Sequence, residues 1–182
     1  MTDEVAAYLH DVVEQLHSYK KLGEKAIAQV YDSGLTRQLD SDSNSIAVLV
    51  KHMSGNMRSR WTGFLTSDGE KPERDRDAEF EVDPATTRAM ILEWWDDGWG
   101  RLFDALKGLR RYDLTRTVMI RGAPVSVIRA INLQLAHYAY HVGQIVQLAK
   151  HFAGPEWKSL SIPKRATGAA ASGKSKPSVE AE

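Results

Sequence analysis

A chain of 182 residues has room for one domain with a proper core and little more. Its 24 basic side chains balance 24 acidic ones, so nucleic acid is not an expected partner. Cysteine is absent, which removes disulfides, thiolate metal ligands and a cysteine nucleophile, and fits a reducing compartment.

The opening MTDEVAAYLHDVVEQLHSYK is acidic and amphipathic, unlike a secretory leader. No stretch approaches about 18 consecutive apolar residues. The expected protein is cytoplasmic and makes no use of a membrane. From about Asp3 to Tyr31, Val5, Tyr8, Val12, Leu16, Tyr19, Leu22, Ile27 and Val30 recur at helical spacing. Asp32-Ser33-Gly34 supplies a stop. His10 and His17 lie in this helix and read as solvated.

The polar run 40–45 is dense in helix-capping residues, and a second helix is expected from about Ser45 to Leu65. Its apolar stripe is Ile46, Leu49, Val50, Met53, Met57, Trp61 and Phe64. The charged, aperiodic segment from 66 to about 82 is a loop, and one of that length in a small domain often serves function or assembly. Asp83-Pro84 is expected to open a third helix, with Asp as cap and Pro in the first turn. That helix carries Trp94, Trp95 and Trp99, which read as core or dimer-face residues before they read as a ligand box.

Leu114–Ile120 alternates polar and apolar residues before Gly122, a short extended arm with the character of a hairpin fragment. Pro124-Val125-Ser126 is then expected to open the last helix, which runs to Phe152 and stops at Gly154-Pro155. The pattern is all-α: a four-helix bundle over 1–160 with a short extended arm before the last helix. The Ser/Lys/Ala/Gly-rich stretch 161–182 is expected to be a disordered tail.

His137 and His141 stand four apart in LQLAHYAYHVGQIVQLAKHF, so one helix face carries both imidazoles. Helical-wheel arithmetic puts them, and His52 on the second helix, about 100° off their apolar stripes. All three would stand at the shoulder of the core. Ser45, Gly55, Ser59 and Gly63 flank His52, and such small residues would leave space for a metal, a water and a ligand. Three neutral nitrogens with a fourth position open is the pattern of a catalytic metal site. The competing reading is a set of half-buried histidines in ordinary hydrogen bonds, and spacing alone leaves both open. Tyr138 stands where a zincin would need its Glu, and the positions three before the histidines are not Glu, which excludes a di-iron bundle.

The blocks NSIAVLVKHMSGNMRSRWTGFLTSDGEKPERDRDAEF and AINLQLAHYAYHVGQIVQLAKHF, with EWKSLSIPKR near the end, resemble the DinB/YfiT-like superfamily of four-helix metalloproteins. More narrowly, they resemble a bacterial branch filed as a domain of unknown function. The resemblance implies one divalent metal, commonly zinc or nickel, held by His52, His137 and His141. Relatives include transferases and isomerases that use low-molecular-weight thiols such as bacillithiol, mycothiol or glutathione, others assigned only as metal-dependent hydrolases, and many homodimers. The expected function is therefore a metal-dependent thiol transferase acting on a small-molecule substrate. Its rivals are a hydrolase and a non-catalytic, metal-stabilised dimeric binding protein. Gln144, three residues past His141, and Asn56, one turn past His52, are candidates to orient a ligand or bound water. Arg58 and Arg60 are candidates to meet a carboxylate of a thiol cofactor.

Overall fold

The computed structural model describes residues 3–162, so the tail expected over 161–182 lies, but for its first two residues, outside them. Five helices form in order: α1 (Asp3–Ile27), α2 (Asp32–Leu35), α3 (Ile46–Trp61), α4 (Arg88–Lys107) and α5 (Val127–Ala153). A two-stranded antiparallel hairpin, β1 (Thr117–Ile120) and β2 (Ala123–Ser126), precedes α5. None of the described helices is long and apolar enough to cross a membrane.

Four long helices bury their apolar faces on one another. α3 packs along α4 and α1 along α5, while α3 meets α5 over a shorter contact. Leu16, Met53, Met57, Ile91, Trp95, Trp99, Leu102, Tyr138 and Ile145 fill the interior, each less than 3% exposed. Trp95 and Trp99 are thus core residues, and Trp94 is half-buried at the edge of α4. The whole stripe expected on α3 is buried, but so is most of its polar flank, including Ser54, Asn56, Ser59 and Arg60. The 66–82 segment lies over part of that flank, bonding to Lys51 and Ser59, while Asn56 meets Tyr138 of α5 and Ser54 packs on Gly98 of α4.

Several expected boundaries move, each for a local reason. α1 ends at Ile27, and Asp32-Ser33-Gly34, read as a stop, instead begins the single turn of α2. α3 closes at Trp61, four residues short of Leu65, and Gly63 beyond it adopts a positive φ that no helix continues through. Asp83 and Pro84 do not open α4: the Asp83 side chain accepts from the Ala85 N–H in a local turn, and Thr87 caps the helix through Met90 N–H. Pro124 lies in β2, where it pairs with Met119, and α5 begins only after Ser126, whose hydroxyl accepts from Arg129 N–H. Leu114 belongs to a 3-10 turn, Arg111–Thr115, and not to the arm.

The hairpin turns at Arg121-Gly122, both with positive φ (54° and 71°). Two successive left-handed residues make the tight turn that suits twisted strands. Arg121 is an unfavoured residue there. Asp68 compensates from the long loop: its carboxylate accepts the N–H of Arg121 at 2.8 Å and of Gly122 at 2.7 Å. Gly69 N–H adds a bond to the Met119 carbonyl. The loop is therefore fastened to the hairpin at one end.

Candidate metal centre

α3 and α5 carry the three histidines to one place. The ring centroids of His52 lie 5.6 Å from His137 and 5.1 Å from His141, and His137 and His141 are 4.5 Å apart. One ring nitrogen from each falls within 4.8 Å of the other two, close enough to hold a metal ion. His52 and His141 are buried, at 6% and 8% exposure. His10 and His17 are exposed and stand apart from the cluster, His17 stacked on Phe103 at 3.8 Å.

The outward nitrogens decide which atoms face inward. His52 Nδ1 lies 2.9 Å from Glu79 Oε2. A carboxylate can only accept, so Nδ1 carries the proton and the Nε2 lone pair is free. His141 Nδ1 lies 2.8 Å from Gln144 Oε1, whose amide nitrogen donates to Tyr140 Oη at 3.2 Å. That chain fixes the same tautomer in His141. Its Nε2 then faces His137 Nε2 at 2.9 Å. Metal-bound histidines almost always have their far nitrogen engaged in this way.

Electrostatics favour neutral rings at His137 and His141. Burial, reinforced by the neighbouring His141 and His52, pushes the His137 pKa down to about 3. Burial also lowers His141, against a raising hydrogen bond from Gln144. A neutral imidazole is the form that ligates. The donor set thus fits a divalent cation: one ring nitrogen from each of three histidines gathers at one place, and the far nitrogens of His52 and His141 are hydrogen-bonded.

Glu79 is the residue of the cluster that sequence reasoning missed. It sits in a 3-10 turn (Asp77–Phe80) of the segment read as an aperiodic loop, 27 residues from His52. Arg74 grips it through two bonds of 2.7 and 2.8 Å and also reaches Glu70. Burial alone would raise the Glu79 carboxyl, but the hydrogen bonds from His52 and Arg74 outweigh it and hold the pKa below the usual value. Gly55 permits the approach, since a Cβ there would stand 2.0 Å from Glu79 Oε1. The space expected beside Gly55 is therefore filled by a carboxylate. Ser59, equally expected to leave room, is taken up by bonds to Gly69 O and Lys71 N. Only the pairing of Gly55 with a distant acidic residue could have signalled this, and one sequence does not carry it.

The other candidates separate. Gln144 contacts His141 directly. Asn56 does not reach His52: its Oδ1 accepts from Tyr138 Oη at 3.0 Å, and Tyr138 in turn accepts from Trp61 Nε1. Arg58 is exposed and paired with Asp97 on α4. Arg60 is buried at 4% exposure, with Nε and Nη1 lacking partners and Glu70 3.9 Å away. Burial lowers its pKa.

Residues 3–166 match the family described as a protein of unknown function, DUF1572. The chain belongs to this family. No curated protein matches it. In this DUF1572 member the histidine cluster, Glu79 and Gln144 all fall within the matched span.

Proposed function

We propose that the protein is a DinB-like, four-helix metalloenzyme that joins a low-molecular-weight thiol, through its sulfur, to a small electrophilic substrate, with loss of the thiol proton and of the electrophile's leaving group. Convergence of three histidine ring nitrogens, with the rings of His52 and His141 held from behind by Glu79 and Gln144, carries the reading. An all-imidazole set suits zinc and nickel alike. Bound there, a divalent ion supplies Lewis acidity, lowering the pKa of a thiol at its open position.

The residues contribute orientation and dryness. Glu79 holds the His52 ring, and Phe80 covers it at a centroid distance of 4.9 Å. Gln144 and Tyr140 hold His141. A transfer reaction is favoured over hydrolysis by what Glu79 is doing. It is the buried carboxylate at the cluster, and Arg74 and His52 already engage both of its oxygens, so it is poorly placed as a general base for water. A thiol, with an ordinary pKa near 8.5, needs far less help to ionise than water. With no cysteine in the chain, that thiol must come from a small molecule.

The test is elemental analysis of protein purified without chelator, beside His141→Ala, followed by a panel of thiols with monochlorobimane. Metal in the parent, its loss in the variant and metal-dependent conjugation with one thiol are expected. Equal metal in both proteins would refute the site. Metal without conjugation, but with turnover of an ester or amide panel, would replace transfer with hydrolysis.

A further inference from the structure

A second cleft, of about 510 Å³, opens between α3, α4 and the 66–82 segment. Glu79 forms part of its wall, and the three histidines do not line it. Five cationic side chains and three carboxylates line it, with Asp97 and Glu70 just behind as partners of its arginines. The guanidinium groups have carboxylate partners: Arg58 and Arg101 share Asp97, and Arg74 holds Glu79 and Glu70.

The two ammonium groups differ. Lys51 Nζ donates to the backbone carbonyls of Ala78 (2.7 Å) and Glu81 (2.6 Å), and Lys71 Nζ to those of Ser59 and Asp68. Carbonyls fix the position of an ammonium without cancelling its charge. Each also leaves one of three N–H groups unspent. Neither lysine forms an ion pair among the described residues.

Around Lys51 the wall is specific. Ser54 lies on the neighbouring position of the same helix face, is 6% exposed, and its hydroxyl has no partner among the described residues. Trp94 stands across from α4, its ring 5.8 Å from Lys51 Nζ. A fixed positive charge, an unspent hydroxyl on a buried residue and an aromatic plate meet in one concavity.

We propose that this cleft binds a small organic oxyanion with a flat apolar body. The anionic head meets the Lys51 ammonium and the Ser54 hydroxyl. The body lies against Trp94 and the aliphatic stem of Arg58. The site shares the Glu79 wall with the metal centre but none of its three histidines, and it does not depend on the activity proposed there.

The metal-loaded full chain is titrated with benzoate and phenyl phosphate, with benzyl alcohol as the uncharged control, and tryptophan fluorescence and heat are read. Saturable binding of the aryl anions is expected, at least about tenfold tighter than benzyl alcohol, the scale of one charge-assisted hydrogen bond. Ser54→Ala and Lys51→Met should each weaken the anions by about five- to tenfold and leave benzyl alcohol unchanged. Ser54→Ala keeps the fold, since alanine suits a helix interior better than serine, so it carries the test if Lys51→Met loosens the loop. His141→Ala should retain anion affinity. Equal binding of the alcohol, no saturation with either anion, unchanged affinity in Ser54→Ala, or loss of binding in His141→Ala would each overturn the proposal.

Discussion

Gly55→Ala sets two forces against each other inside α3. Glycine in a helix interior is less favourable than alanine by about 0.8–1 kcal/mol, so helix propensity alone makes the substitution stabilising. The new Cβ, however, would stand 2.0 Å from Glu79 Oε1 and 2.6 Å from its Cδ, where ordinary contact begins at 3.4 Å. The carboxylate must retreat by more than about 1 Å. It is held by His52 at 2.9 Å and by Arg74 at 2.7 and 2.8 Å, and those three bonds cannot all survive such a shift. Hydrogen bonds to charged groups contribute about 1.5–3 kcal/mol each, so losing even one or two outweighs the propensity gain. Net destabilisation of about 1–4 kcal/mol is expected, or a melting temperature lower by roughly 3–12 °C in a chain of this size.

Metal affinity falls with it. Removing a partner that orients a ligating histidine typically costs about 10–100-fold. Chelator competition measures that loss, and thermal unfolding of the same preparations measures the first. Glu79→Gln is the companion without a clash. It should lose metal affinity to a similar degree, because an amide cannot accept from His52 and satisfy the Arg74 guanidinium equally well. A Gly55→Ala protein that melts higher and binds metal as the parent does would refute the Glu79 assignment.

Other perturbations test separate parts of the structure. Tyr138→Phe removes the hydroxyl that accepts from Trp61 Nε1 and donates to Asn56, leaving buried groups unpaired; urea unfolding should show a loss of about 1–3 kcal/mol. Arg60→Met replaces a buried cation with two orphaned donors by an apolar chain of similar length. It should be neutral or stabilising in urea, and a loss above about 3 kcal/mol would show that the Glu70 attraction outweighs desolvation. In chelator-treated protein, His137 has a folded pKa of about 3 against an ordinary 6.5, so acid favours the unfolded state, which takes up the proton first. Its stability contribution is whole above pH 6.5 and drains away as pH falls toward 3. His137→Ala should flatten that part of the stability profile, and an unchanged slope would argue that the ring is not buried as described.

Local rules read well wherever one side of an element settled the matter. The apolar stripe of α3 predicted its core face, and the run of capping residues at 40–45 marked its start to within a residue or so, Ser45 being the cap. The i,i+4 spacing of His137 and His141 placed both on one face of α5 without any tertiary knowledge. Rules with two competing outcomes failed. Pro after Asp can open a helix or a turn, and at 83–84 the turn forms because Thr87 offers a cap four residues on. Pro124 can lead a helix or occupy an edge strand, and pairing with Met119 takes it into the hairpin.

The chain's own order of residues therefore determined a helical protein, its core stripes, a cysteine-free chemistry and three histidines on two helix shoulders. Whether those shoulders face each other was decided by packing, as was the partner behind each ring. Glu79 reaches His52 across 27 residues only because Asp68 fastens the intervening segment to the hairpin, Lys71 and Lys51 fasten it to α3, and Arg74 braces it internally. Periodicity reports on a single element and its nearest turns. A charged segment without periodicity carries no such signal, and its place is set by long-range hydrogen bonds that exist only once the helices have assembled.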